Sequence, residues 1–326
     1  FIHNIKTYNK NSRGVDSWTC TELKQMPKCV LSMFLNVINL TYQNAANPHQ
    51  SLISLNPLLG KPSGGTRTIW LTPMLYRQTC RTQTFQIKHW EKEHLEDFDM
   101  ARPGSSALNA ALVRNVLAEV AMHEGLNTIA VFNDLMIFFD TVDIPHLFEN
   151  LKTKNDPKHM TALALQQHLA PRSVKCSGFT LPPVQVNRSI LAGCKNSIPF
   201  TRCTLGPTLK SLVKEHKNVF TSNFVDDTIN QSLGNSWMIQ IEEMFRCVNQ
   251  FATSVTNINL KLSTKALIVC SDKKRTKQLV QKFATVGLTF NISRQARDLG
   301  VTYTAARTRP SALFVERIAK SKSRVK

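Results

Sequence analysis

Apolar residues recur every three or four positions from Ser17 to Leu40 (Trp18, Leu23, Met26, Val30, Leu31, Phe34, Leu35, Ile38), predicting a helical lead-in interrupted at Pro27. Between Asn56 and Tyr76 two apolar runs flank Pro and Gly pairs, the mark of a hairpin with a flexible basic tip flanked by Lys61 and Arg67. After the breaker Arg102-Pro103-Gly104, the Ala- and Leu-rich run from Ser105 to His123 predicts a helix. Thr128 to Asn133 reads as a short buried strand that ends at Asp134, and Asp143 with Pro145 opens a helix running to about Leu151.

Further on, Met160 to Leu169 is helical in period, strand-like pieces fall around Val184 to Ile190, and a turn at Gly193 precedes a helix toward Leu212. Val219 to Val225, then Asp226-Asp227, then Thr228-Ile229, predicts two strands joined by a tight acidic turn. A helix from about Trp237 to Val255 follows. The remainder alternates apolar pieces at 267–270, 286–290 and 298–303 with a Lys-rich segment, and ends in a basic tail.

A chain of 326 residues, 42% hydrophobic, is long enough to bury a substantial core. Its 41 Lys and Arg against 22 Asp and Glu leave a net charge of +19, which repels itself unless a polyanion neutralises it, so nucleic acid is the expected partner. The eight cysteines form no CxxC pair and no zinc-spaced Cys/His cluster; they read as reduced, mostly buried thiols. No stretch reaches the roughly 18 uncharged apolar residues that span a bilayer. The start has neither a signal-like apolar core nor a Met, so a soluble chain, nuclear or cytoplasmic, is expected, with a fragment as one reading of such a start.

Two divalent ions about 4 Å apart stabilise the attacking and leaving oxygens of a phosphoryl displacement. Such hard cations take carboxylate oxygens. Asp134 at a strand end and Asp226-Asp227 on a hairpin turn supply them if their strands lie side by side. Each also has a local reading, as a turn cap or as ordinary hairpin-tip chemistry.

Seven segments then resemble, in order, the sequence blocks of reverse transcriptases: GKPSGGTRTI, ARPGSSALNAAL, FNDLMIFFDTV, ILAGCKNSIPFTR, NFVDDT, LSTKALIV and ARDLGVTYT. The resemblance runs from about Gly14 to Tyr303 and is nearest the non-LTR retrotransposon branch, with group II intron enzymes more distant. It implies a metal site of Asp134, Asp226 and Asp227, with the Leu135 carbonyl as an extra ligand, holding two Mg²⁺ ions, with Mn²⁺ as a substitute. Asp140 is then structural.

By the same resemblance Phe139 excludes the ribose 2′-hydroxyl, where viral RNA polymerases carry Asp; its other reading is a core aromatic. Arg67 grips the incoming triphosphate and Lys61 assists, roles that otherwise reduce to a solvated basic tip. Gly193 and Ser197 lie under the template and the incoming base. Ala192 and Ser189 stand where the family has Gln and Gly, which puts competence in question. Lys265 protonates leaving pyrophosphate or is a solvated lysine, and Leu299 and Gly300 form a primer-grip turn or a plain one.

The implied fold is α+β: fingers and palm of a right-hand polymerase with an antiparallel palm sheet backed by helices. Residues 1–127 are fingers-like, 128–150 palm, 151–182 a connection, 183–305 palm again, and 306–326 a basic tail beginning a thumb that is largely missing. The implied partners are an RNA template, a DNA or RNA primer and deoxynucleotides. The competing expectation is a catalytically silent fragment that binds nucleic acid without copying it; an RNA-dependent RNA polymerase is disfavoured by Phe139.

Overall fold

In a computed structural model of the chain, residues 1–8, 11–60, 65–176, 178–306, 315–316, 318–319 and 322 are described. The first stretch contains α1 (Ile2–Thr7), α2 (Cys20–Gln25), α3 (Lys28–Gln43), β1 (Ser54–Pro57), β2 (Leu59–Gly60), β3 (Thr66–Arg67), α4 (Met74–Thr82) and α5 (Thr84–Glu93). Thr19 and Glu22 form a reciprocal capping box that starts α2, and the break before α3 falls at Pro27. Next come α6 (Ala107–His123), started by Ser106, whose hydroxyl accepts from the Asn109 amide, and β4 (Asn127–Asn133).

The chain continues through α7 (Phe138–Thr141), α8 (Ile144–Thr153), α9 (Lys158–Leu169), β5 (Arg172–Cys176), β6 (Phe179–Thr180) and α10 (Ser197–Glu215). Asp143 accepts from the His146 amide and caps α8, with Pro145 in its first turn. The last part holds β7 (Phe220–Phe224), β8 (Asp227–Gly234), α11 (Trp237–Asn257), β9 (Leu267–Cys270), α12 (Lys273–Ala284), β10 (Asn291–Ser293), β11 (Gln295–Asp298) and β12 (Val301–Thr304). The Lys-rich segment is α12: Thr276, Leu279 and Phe283 form its buried stripe and the cations its outer face.

The architecture is α+β, in two units that are each discontinuous in sequence: residues 1–94 with 139–204, and 95–138 with 205–326. The second unit is built on a five-stranded sheet in the order β10-β9-β4-β8-β7. β4 is antiparallel to both β8 and β9, and β7 to β8, while the edge pair β9/β10 is parallel, so the sheet is not purely antiparallel. Ala130 of β4 clusters with Ala118 of α6 and Tyr303 of β12, whereas Asn230, opposite Val131, reaches Cys247 of α11. Helices α6 and α11 therefore cover opposite faces, which explains why β4 is buried almost end to end.

In the first unit β1 runs parallel to β5, and β6 returns antiparallel to β5. The strand expected around Val184 to Ile190 is a correction. Only Val184 bridges to Arg172, and the segment is otherwise irregular, because Pro182-Pro183 and Ser189 at φ +112° break a regular ladder. The 286–290 piece is turn and coil leading into β10. Four cysteines are buried, two half-buried and two exposed. Among the described residues no helix is long and apolar enough to cross a membrane.

Candidate active site

Asn133, the last residue of β4, pairs with Thr228 of β8. One step beyond that pair Asp134 leaves β4 and Asp227 begins β8, so the two carboxylates extend neighbouring strands of one sheet. Asp226 sits at the tip of the β7–β8 hairpin, whose two-residue loop, Val225-Asp226, lies between the paired Phe224 and Asp227. Val225 has φ +61°, the pattern of a type II′ turn, in which glycine is usual at that place. Asn223, buried beneath, donates to the Val225 carbonyl at 2.8 Å and accepts from the Thr228 hydroxyl at 2.8 Å, clamping the turn.

Asp226 and Asp227 feel the charges around them. Partial burial raises the Asp226 carboxyl, and the Asp134 charge adds to the rise. Asp227 keeps solvent access on one side while the chain crowds the other; that desolvation, then the Asp226 charge, pushes it up to about 7, with Arg114 pulling downward. Oxygen-only donors with mutual repulsion fit a hard divalent cation in chemistry and in field. Their oxygens are not gathered into a cage: among the described residues no group of three or more His, Cys, Asp or Glu is arranged to hold a metal. Leu135 bridges Leu262 through bonds made by Asp134 and Met136, neither of which uses Leu135's own carbonyl.

A cleft of about 220 Å³ is lined by Asp134, Asp227, Lys265, Arg297, Asp298 and Leu299. Lys265 is exposed on a turn in which its amide donates to the Ser263 hydroxyl at 3.1 Å. Leu299 (φ +46°) and Gly300 (φ +89°) make the two-residue loop of the β11–β12 hairpin, the type I′ form whose twist suits a tight hairpin. The second unit thus brings Asp134, Leu135, Asp226, Asp227, Lys265, Leu299 and Gly300 into one neighbourhood.

The remaining candidates lie in the first unit. Phe139 is half-buried in α7, and its carbonyl accepts from the Ile190 amide at 2.8 Å. Gly193 turns at φ +97°, and the Trp70 amide donates to the preceding carbonyl of Ala192 at 3.0 Å. Ser197 is buried with its hydroxyl donating to the Leu191 carbonyl at 2.6 Å, so it fixes that turn. Ser189 accepts from Arg172 at 2.7 Å, and Asp140 approaches both Thr68 and Ser189, a tethering position. Arg67 lies in β3 opposite Leu59, its side chain outside the described residues, as is Lys61.

Sequence reasoning missed Arg114, Asp298, Arg297 and Asn223. Arg114 is fully buried and bonds the Ser222 hydroxyl (3.0 Å), an Asp298 oxygen (2.8 Å) and the Asp227 carbonyl (3.3 Å). The signal was present, since Arg114 stands four residues from Ala110 and from Ala118 on the small-residue face that α6 buries. β11 alternates exposed Gln295 and Arg297 with buried Ala296 and Asp298, a period-two cue that one carboxylate turns inward. No protein-family model matches the chain, and no curated protein matches it.

Proposed function

We propose that this chain is an RNA-directed DNA polymerase, adding deoxynucleotides to a primer 3′ end on an RNA template, with the second unit as palm. The observation that carries the reading is the β4–β8 pairing, which sets Asp134 beside the Asp226-Asp227 turn at one end of one sheet. The ordered sequence blocks and the +19 charge support it further.

In this reading Asp134, Asp226 and Asp227 would hold two Mg²⁺ ions, which when bound would supply Lewis acidity to the attacking and leaving oxygens. The chain's own contribution is placement and field. Lys265 and Arg297 bring positive charge to the cleft that the carboxylates also line, suiting a polyphosphate. The Lys265 ammonium can hand a proton to a departing phosphate oxygen. The sequence blocks assign Phe139 to sugar exclusion, Arg67 and Lys61 to the triphosphate, and Gly193 and Ser197 to the template block. The Leu299-Gly300 turn is the contact for the primer end.

One observation favours a second reading, a silent nucleic-acid binder: Ser189 sits at φ +112°, a conformation suited to the glycine of the resembled block, and Ala192 supplies no amide. Extension of a primer annealed to RNA separates the two. The proposal expects magnesium-dependent growth with deoxynucleotides and little with ribonucleotides. Tight binding with no growth under any template or metal condition would leave only the silent binder.

A further inference from the structure

Arg114 is the largest fully buried side chain among the described residues, and its guanidinium joins three elements. From α6 it reaches Ser222 of β7, the Asp227 carbonyl at the acidic turn, and Asp298 at the end of β11. Its own carbonyl accepts from the Gln231 side-chain amide at 3.0 Å, and that amide also donates to the Tyr303 hydroxyl of β12 at 3.0 Å. Two polar links, Arg114 to Asp298 and Gln231 to Tyr303, therefore fasten the β11–β12 hairpin to the strand that starts with Asp227.

An ion pair so deeply buried is a costly way to hold a fold. Two ions lose their hydration, and apolar residues of similar volume commonly do as well or better. The pair here is also incomplete: Arg114 meets one Asp298 oxygen, while the other is buried without a hydrogen-bond partner among the described residues. A directional link is what apolar packing lacks. Asp298 lines the same cleft as Asp134, Asp227, Lys265 and Leu299, so the link joins the acidic turn to another part of the same cleft lining.

We propose that Arg114 and Asp298 are positioning residues, a buried strut that sets the Leu299-Gly300 turn against the Asp226-Asp227 turn. The inference rests on the polymerase reading for its catalytic consequence and on geometry alone for the coupling of the two turns. Neither residue touches the reacting atoms in this account. Asp298→Asn keeps an acceptor for Arg114 but removes the compensating charge. The double variant Arg114→Met, Asp298→Val removes both charges together and nearly keeps the combined volume, so it should fold.

The test compares the original chain, Asp298→Asn and the double variant by hydrogen exchange and by primer extension. In the double variant the strut account expects a retained melting transition, with amide exchange at least about tenfold faster at both turns, 225–227 and 299–301. It further expects kcat for extension to drop about a hundredfold with KM for the deoxynucleotide nearly unchanged, since a small misplacement of reacting groups costs that much. A double variant that folds with both turns as protected as before overturns the strut, whatever the extension assay shows. Unchanged kcat in that variant also overturns it. An original chain that binds RNA but never extends a primer defeats the polymerase reading instead, and the exchange result still decides the coupling.

Discussion

Asp156 is half-buried near Glu91, and burial first, then that neighbouring charge, pushes its carboxyl up to about 7 from an ordinary 3.8. Between those values the folded chain keeps a proton that the unfolded chain has released. Its contribution is therefore fully present below about pH 4 and lost as pH rises toward 7. Asp156→Asn should abolish that decline and raise stability at pH 8 by about 1–3 kcal/mol after allowance for solvent screening, read from urea midpoints at pH 5 and 8. His168 runs the opposite way: burial, then Arg172, lowers its pKa to about 3, so its contribution is present above 6.5 and lost as pH falls toward 3. Removing half of the Arg114–Asp298 pair strands a buried charge; Asp298→Ala should cost about 3–5 kcal/mol. A loss below about 1 kcal/mol would mean that water reaches the site.

At the scale of elements, the β7–β8 turn holds a β-branched residue where glycine is usual. Val225→Gly relieves about 1–2 kcal/mol of left-handed strain against about 0.5–1 kcal/mol of added chain entropy, so a modest rise in melting temperature is expected. A fall would show that the Val225 side chain packs usefully. The elements that read clearly in sequence carry their own local marks: the Ser106 cap and small-residue face of α6, the apolar run of β4, and the Asp pair at the hairpin tip. β5 and β6 were illegible because Arg172-Ser173-Val174-Lys175 has little apolar alternation and is made a strand by pairing with the distant β1. The Val184 to Ile190 piece misled for the converse reason, apolar residues with no partner strand to receive them.

For the molecule as a whole, local pattern could place Asp134 at a strand end but not name its neighbour, since β4 pairs with β8 from the far half of the sequence. The Arg114–Asp298 link hides for the same reason, as its members are joined only through tertiary structure. Net charge, by contrast, reads directly from composition. With +19 available, a footprint covering 6–10 phosphates should lose about 10³–10⁵ in affinity for an RNA–DNA hybrid between 50 and 200 mM salt, measurable by fluorescence anisotropy. Affinity that ignores salt would contradict a phosphate-tracking surface. Polymerase activity is tested by incorporation of one deoxynucleotide onto a primer paired to RNA, comparing the original chain with Asp226→Asn in Mg²⁺. A metal-binding Asp226 predicts incorporation that falls by about 10³-fold or more in the variant, roughly 4 kcal/mol of barrier, with hybrid affinity kept; equal rates in both, or none in the original chain, would contradict a polymerase.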